Sequence, residues 1–327
     1  MNPAAAKKGG PRGGIDLGGT KIQTVIVDAA DQVLAEARRP TPTDGGPEDV
    51  AAEMAAALRE AAERAKVQAD QLAGIGVGSP GDANESTGVV TGARNLPGWE
   101  GSFPLAEALS KELGPPVRIG NDVQVAVEGE FHLGAGRPYK SLIGVFWGTG
   151  VGGGLVLDGK PWLGRGAAGE IGHMVVRRGG PRCSAGHSGC IEAYAGRAAM
   201  ERRARKEVAR GEKTKLFEIM EERGRDRLTS GIWERALKHG DPLAEKLIVR
   251  AIRALGPGIA SAVNLLDPEA VILGGGMGVR FGESHAAEIR ARMKPYLFAP
   301  ESPPALEVAA LGDLGGAIGA ALLVTRS

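Results

Sequence analysis

The sequence predicts an α/β protein built as two lobes, and three observations carry that expectation. The chain has 327 residues, more than a single growing hydrophobic core usually holds. Apolar runs of strand length alternate with longer helical stretches along the chain, the pattern of an α/β protein. Two segments, 14–28 and 142–157, each read as strand, glycine turn and strand, which suggests two lobes of similar build.

The first hairpin begins at Gly14, turns at Gly18 and Gly19, and continues as the alternation Ile22, Thr24, Ile26. Residues 33–39 extend the meander as a third strand, and 47–66 form an Ala- and Glu-rich helix with capping residues ahead of it. A short buried strand at 74–78 leads into a polar loop. Residues 104–113 are helical, 116–120 form a strand, and Asn121 and Asp122 open a helix that reaches about His132. The second hairpin joins 142–147 to 155–157 through a glycine loop at 148–154. Beyond Glu170 the chain is largely helical to Ala251, returns to a buried strand at 270–273, and meets the cluster Gly274, Gly275, Gly276. The expected division is a flexible lead over 1–13, a small lobe over 14–120, and a large lobe over 121–314. A helix at about 315–327 rejoins the small lobe.

Composition narrows the function classes. Hydrophobic residues at 43% and charged residues at 24% are ordinary for a folded globular chain and exclude a disordered or fibrous one. Forty Lys and Arg offset thirty-nine Asp and Glu, with no block of like charge, so nucleic acid is not an expected partner. No apolar stretch has the length or continuity of a membrane span, and the N-terminal cations precede no signal-peptide core. The expected location is cytoplasmic. Two cysteines, Cys183 and Cys190, do not make a disulfide scaffold.

Several loops have the composition that chemistry needs. Asp16-Leu17-Gly18-Gly19-Thr20-Lys21 lies at a strand turn, where glycines accept positive φ and backbone N–H groups can face a phosphate; Asp16 offers charge to magnesium. A plain hairpin turn has the same appearance. Gly148, Thr149, Gly150 and Gly152 repeat the pattern in the second lobe, without the Gly-Lys-Ser/Thr ending of a Walker loop and without the following helix of a dinucleotide fold. Gly274 to Gly276, with Gly256 and Gly258 on the preceding helix, would let the chain lie flat against a base or ribose. Asn121-Asp122 is a carboxylate held by a helix start, and equally what an N-cap looks like. Glu170, His173 and Glu192 suit several vicinal hydroxyls. Cys183, His187 and Cys190, with His173 ten residues upstream, have a spacing that could close a tetrahedral zinc site; two reduced structural cysteines and an exposed histidine are the alternative.

Taken together these motifs resemble the family of repressors, open reading frames and kinases (ROK), and within it the bacterial glucokinases. Asp16 to Lys21 resembles the first phosphate motif, Asn121-Asp122 the catalytic pair, Gly148 to Gly154 the second phosphate motif, and Gly274 to Gly276 the adenosine-side loop. Glu170-Ile171-Gly172-His173 is similar to the Glu-x-Gly-His sugar signature, and Gly189-Cys190-Ile191-Glu192 to the end of the cysteine motif. The resemblance implies a two-lobed actin-like ATPase or sugar-kinase fold, ribonuclease H-like, with a cleft between lobes. It implies ATP with magnesium, a hexose substrate with glucose first, and Asp122 as catalytic base. Asn95, Asn121, Glu170, His173 and Glu192 would hold the sugar, with Gly78 and Ser79 as wall. N-acetylglucosamine, N-acetylmannosamine, mannose and fructose remain alternative sugars, polyphosphate an alternative donor, and a non-catalytic sugar sensor an alternative role. The chain departs from the family at Ala185, where the usual segment has its middle cysteine; His187 stands near enough to replace it, giving His173, Cys183, His187 and Cys190 as ligands of a structural zinc. The family implies a homodimer. Its repressors carry a helix-turn-helix domain ahead of the first motif, for which the fifteen residues before Asp16 leave no expected room.

Overall fold

The structure, a computed structural model, describes residues 9–93 and 95–325. They form two compact units, one of 9–137 with 310–325 and one of 138–309.

The first unit runs β1 (Arg12–Leu17), β2 (Lys21–Val27), β3 (Val33–Pro40), α1 (Pro47–Arg64), β4 (Ile75–Ser79), β5 (Asp82–Asn84), β6 (Val89–Thr91), β7 (Ser102–Phe103), α2 (Leu105–Leu113), β8 (Val117–Asn121) and α3 (Asp122–Leu133). The second runs β9 (Leu142–Trp147), β10 (Val151–Leu157), β11 (Lys160–Pro161), α4 (Glu192–Ala195), α5 (Arg197–Val208), α6 (Leu216–Glu222), α7 (Ser230–Lys238), α8 (Pro242–Leu266), β12 (Ala270–Gly274), α9 (Gly275–Met293) and β13 (Ala305–Val308). The chain then returns to the first unit as α10 (Gly315–Leu322).

Each unit is built on a five-stranded sheet of the same topology. The orders are β3-β2-β1-β4-β8 and β11-β10-β9-β12-β13, an antiparallel meander of three strands extended by two parallel ones. The duplicated hairpin expected from the glycine turns is therefore part of a larger duplication. The inner parallel strands β4 and β12 are buried along their whole length, whereas the edge strands β8 and β13 are only partly covered. Helix α1 starts with Pro47 at its first position and with Asp49 accepting from the Gly46 N–H at 2.9 Å, and it buries Val50, Met54, Leu58 and Ala61 at helical spacing.

Helix α10 lies flat on the first sheet because its partners lack side chains. A Cβ on Gly14 would collide with the Ala317 carbonyl, one on Gly76 with the Ala320 carbonyl, and one on Gly319 with the Val125 carbonyl of α3. This backbone-to-backbone contact sets the end of β1 against α10, where a Cβ on Gly316 would stand 2.6 Å from the Asp16 Cγ.

Some expectations are corrected. Strand β1 begins at Arg12, which is buried and ion-paired with Asp31, so the predicted lead over 1–13 is shorter at its C-terminal side; residues 1–8 lie outside the described residues. Helix α3 packs on α10 and β4, so 121–137 belong to the first unit, whereas the sequence places the division at 120. The predicted polar loop after Gly78 contains the antiparallel sheet β5-β6-β7, whose two- and three-residue strands are too short to show a period. Residues 151–154, predicted as loop, are the start of β10, paired with 144–147 of β9. Among the described residues no helix is long and apolar enough to cross a membrane.

Candidate active site

In the first unit, register gathers the candidate residues at one edge. Asp16 pairs with Gly78 across β1 and β4, and Ser79 with Asn121 across β4 and β8. These strands are parallel, so Asp16, Ser79 and Asn121 stand at their carboxyl ends, where open α/β sheets hold ligands. Asn121 is the N-cap of α3: its Oδ1 accepts from the N–H groups of Val123 at 3.0 Å and Gln124 at 3.1 Å. The capping and the catalytic readings of Asn121-Asp122 thus fall on different residues. Asp122 follows as the first helical residue, half-buried, with its Oδ1 accepting from the Val123 N–H at 2.9 Å. The orphan donors of the first turn hold this carboxylate in place. A Cβ on Gly78 would meet Val125 at 2.7 Å and the Asp122 backbone at 3.3 Å, so Gly78 is a wall that lets α3 approach. Buried Ser79 turns its hydroxyl to the Pro80 carbonyl, 3.0 Å away.

Asp16 is pushed up from the usual carboxylic-acid range to about 7, first by burial and next by the charge of Asp122, while Lys21 pulls it down. Asp16 is a carboxylate oxygen donor of the kind magnesium takes, and a divalent ion beside it would offset both the burial of its charge and the repulsion from Asp122. The turn after Asp16 is pinned: Gly18 N–H donates to the Lys21 carbonyl at 3.0 Å, and the Thr41 hydroxyl to the Gly18 carbonyl at 2.6 Å. Neither Gly18 nor Gly19 has a positive φ; Gly19 is needed because Asn95 lies against it, with Nδ2 3.0 Å from where a Cβ would be. Asn95 therefore packs against the turn at 18–21. Exposed Thr20 occupies the tip of that turn. Lys21 is ion-paired at 3.3 Å with exposed Asp313, a surface contact that anions can displace at a cost of about 0–1 kcal/mol.

In the second unit, Phe146 of β9 pairs with Gly274 of β12, which brings the turn 148–150 and Gly274 to Gly276 to one edge. Gly275 has φ +74° and a Cβ there would lie 2.7 Å from the Trp147 carbonyl. Gly274 packs on the Phe146 ring, and Gly276 faces Ser230. These glycines open α9, whose N-terminal N–H groups suit an anion. Gly256 and Gly258, expected near a base or ribose, are buried instead in helix packing, against Arg292 and Ile191 respectively.

The turn 148–150 is tied to α5. The N–H groups of Arg197 and Ala198 donate to the carbonyls of Gly148 and Thr149, each at 3.0 Å. Gly152 lies in β10 opposite Phe146. Glu192 touches the same turn: its Oε2 accepts from the Val151 N–H at 3.2 Å, and its Oε1 from the Ser184 N–H at 3.2 Å and hydroxyl at 2.5 Å. Glu192, expected to grip sugar, is in the structure the tie between the cysteine loop and the turn 148–150. Exposed Glu170 has its Oε2 3.9 Å from Nε2 of half-buried His173.

The ligand atoms of His173, Cys183, His187 and Cys190 all lie within 4.8 Å of one another. His173 presents Nδ1 to Cys183 Sγ at 3.6 Å while its Nε2 faces Glu170. Burial and the adjacent Cys183 hold the Cys190 thiol well above its usual range. Ala185 is exposed, and the tight turn that returns His187 toward Cys183 (Cys183 N–H to the His187 carbonyl, 2.9 Å) passes through Gly186 at φ +84°. Two thiols and two imidazoles at this spacing are a donor set for zinc.

Sequence reasoning missed Thr41, Asp313 and Arg197, which act on the turns from distant parts of the chain, and Ser184, which holds Glu192 from within the cysteine loop. No local pattern marks them, since each is an ordinary polar residue at its own position.

Known proteins match the chain over nearly its whole length. The sequence is 32% identical over 314 residues to a glucokinase of Thermotoga maritima, covering 95% of this chain and 96% of the relative. A ROK family glucokinase from Streptomyces griseus, solved in complex with glucose and AMPPNP, superposes with a TM-score of 0.83 at 31% identity, covering 97% of this chain and all of that one. A ROK hexokinase from Thermus thermophilus matches with a TM-score of 0.76 at 36% identity, over 95% and 97% of the two chains. With the ROK family profile matching residues 12–327, the chain belongs to the ROK family.

Proposed function

We propose that the protein transfers the terminal phosphoryl group of ATP to a hydroxyl of a hexose, glucose before others. The observation that carries this reading is the placement of Asp122. It is a half-buried carboxylate at a helix start, fixed by the first turn of α3, and close enough to Asp16 to raise its proton affinity. In the reaction Asp122 accepts the proton of the attacking hydroxyl as the sugar oxygen bonds to phosphorus and the bond to the ADP oxygen breaks. Asp16 would hold magnesium, which supplies neutralisation of the phosphate charge. The turns at 18–21 and 148–150 and the start of α9 offer backbone N–H groups to phosphate oxygens. Asn95, Asn121, Glu170 and His173 offer hydrogen bonds to the remaining sugar hydroxyls, with Glu192 bracing the turn behind them.

His173, Cys183, His187 and Cys190 would hold a zinc ion whose contribution is structural. With Nδ1 committed to the ion, Nε2 of His173 is left to face Glu170 and a sugar hydroxyl. A homodimer in the cytoplasm belongs to the same reading, from the family resemblance. The test is coupled ADP release with glucose, N-acetylglucosamine, N-acetylmannosamine, mannose and fructose. Turnover on glucose above the other sugars supports the substrate assignment, and turnover on another sugar moves it there.

A further inference from the structure

Arg197 occupies an unusual electrostatic position. It is the first residue of α5, its backbone N–H holds the Gly148 carbonyl, and its guanidinium reaches back over the same turn. One terminal nitrogen donates to Thr149 Oγ1 at 2.8 Å and the other to the Leu228 carbonyl at 2.6 Å. The Leu228 backbone is itself held from its other side, its N–H donating to Glu201 at 2.8 Å. The guanidinium is half-buried, and burial followed by the repulsion of Arg227 lowers its proton affinity, against a rise from Glu201. Among the described residues it makes no ion pair with a carboxylate. A half-buried cation whose hydrogen bonds, among the described residues, go to neutral oxygens is costly to the fold unless an anion completes it.

The hydrogen bond to Thr149 has a directional consequence. A guanidinium only donates, so Thr149 Oγ1 is the acceptor in this contact and its own hydrogen must point elsewhere. The Thr149 carbonyl is occupied by the Ala198 N–H, and the residue is exposed. The hydroxyl hydrogen is therefore available to a ligand oxygen, and in the kinase reading this turn meets a phosphate.

We infer that Arg197 is a positioning residue for nucleotide phosphate, which fixes Thr149 as a hydrogen-bond donor and sets a positive charge behind the turn. This rests on the kinase reading, in which the turn 148–150 meets ATP. Charged hydrogen bonds of this kind change affinity by about 10- to 100-fold. The experiment is calorimetric binding of AMPPNP with magnesium, and separately of adenosine and of glucose, to wild type, Arg197→Met, Arg197→Lys, Thr149→Val and the double variant Arg197→Met/Thr149→Val. Expected are a 10- to 100-fold weaker AMPPNP affinity in Arg197→Met, partial recovery in Arg197→Lys, and unchanged adenosine and glucose affinities. The double variant should be little worse than Arg197→Met alone, since both act through one hydroxyl. Equal AMPPNP affinity in Arg197→Met, or an equal loss for adenosine, overturns the inference, the second because it shows only a loosened turn. A wild type that binds AMPPNP but phosphorylates no hexose leaves Arg197 in its role and defeats the kinase reading; a wild type that binds no nucleotide defeats both.

Discussion

Asp16 bears an electrostatic cost, from its burial and from the neighbouring charge of Asp122. Its proton affinity is raised from 3.8 to about 7, by burial first and then by Asp122, so between those values the folded state holds the proton more tightly than the unfolded chain. The stability it contributes is fully present below about pH 4 and is lost as pH rises through about 7. A shift of this size corresponds to roughly 4 kcal/mol. In magnesium-free buffer the wild type should therefore lose stability toward about pH 8 relative to Asp16→Asn, as read by urea unfolding at a series of pH values. Parallel profiles for the two proteins would show that Asp16 is not strained by its neighbour. The placement of Asn121 and Asp122 at a helix start was legible at this scale because Asn and Asp at a strand-to-helix junction are a local pattern. Arg197 and Asp313 were not, because their partners at Thr149 and Lys21 lie 48 and 292 positions away along the chain, and nothing in their own neighbourhood records the contact.

Two elements support the site from outside it. Helix α10 meets β1 and β4 backbone to backbone, which only Gly14 and Gly76 permit. Gly76→Ala should force α10 outward, lower stability by about 1–3 kcal/mol or more, and disturb Asp16 through Gly316; a thermal transition equal to wild type would mean the helix yields freely. The cysteine loop is the second support, linked to β10 through Ser184, Glu192 and Val151. If His187 takes the place left by Ala185, purified protein holds about one zinc per chain, and His187→Ala binds it at least 10-fold more weakly with a raised KM for sugar. Metal analysis alongside a chelator titration checks this, and a zinc-free wild type with the same KM would contradict it. The sequence shows α10 as an apolar Gly- and Ala-rich segment but not which sheet it covers, since small residues give no directional pattern. The close spacing of Cys183, His187 and Cys190 was visible, whereas the turn at Gly186 that brings His187 round depends on a φ value no residue name states.

At the scale of the whole molecule, the duplicated sheet is the feature that the chain's text carries most openly. The two glycine-turned hairpins announce it, and the structure extends the likeness to β4 and β8 on one side and β12 and β13 on the other. The division at 137 rather than 120 was not legible, because it depends on α3 packing against α10, nearly two hundred residues later. The family membership rests on the whole length, residues 12–327, and the proposed activity requires Asp122 above any other single side chain. The most direct measurement is therefore coupled ADP release with ATP, magnesium and glucose, comparing wild type with Asp122→Ala and Asp122→Asn, with glucose binding measured in parallel. The account predicts that turnover falls by roughly 10²–10⁴-fold or more in both variants while glucose affinity changes far less. Turnover at the wild-type level in either variant would contradict it.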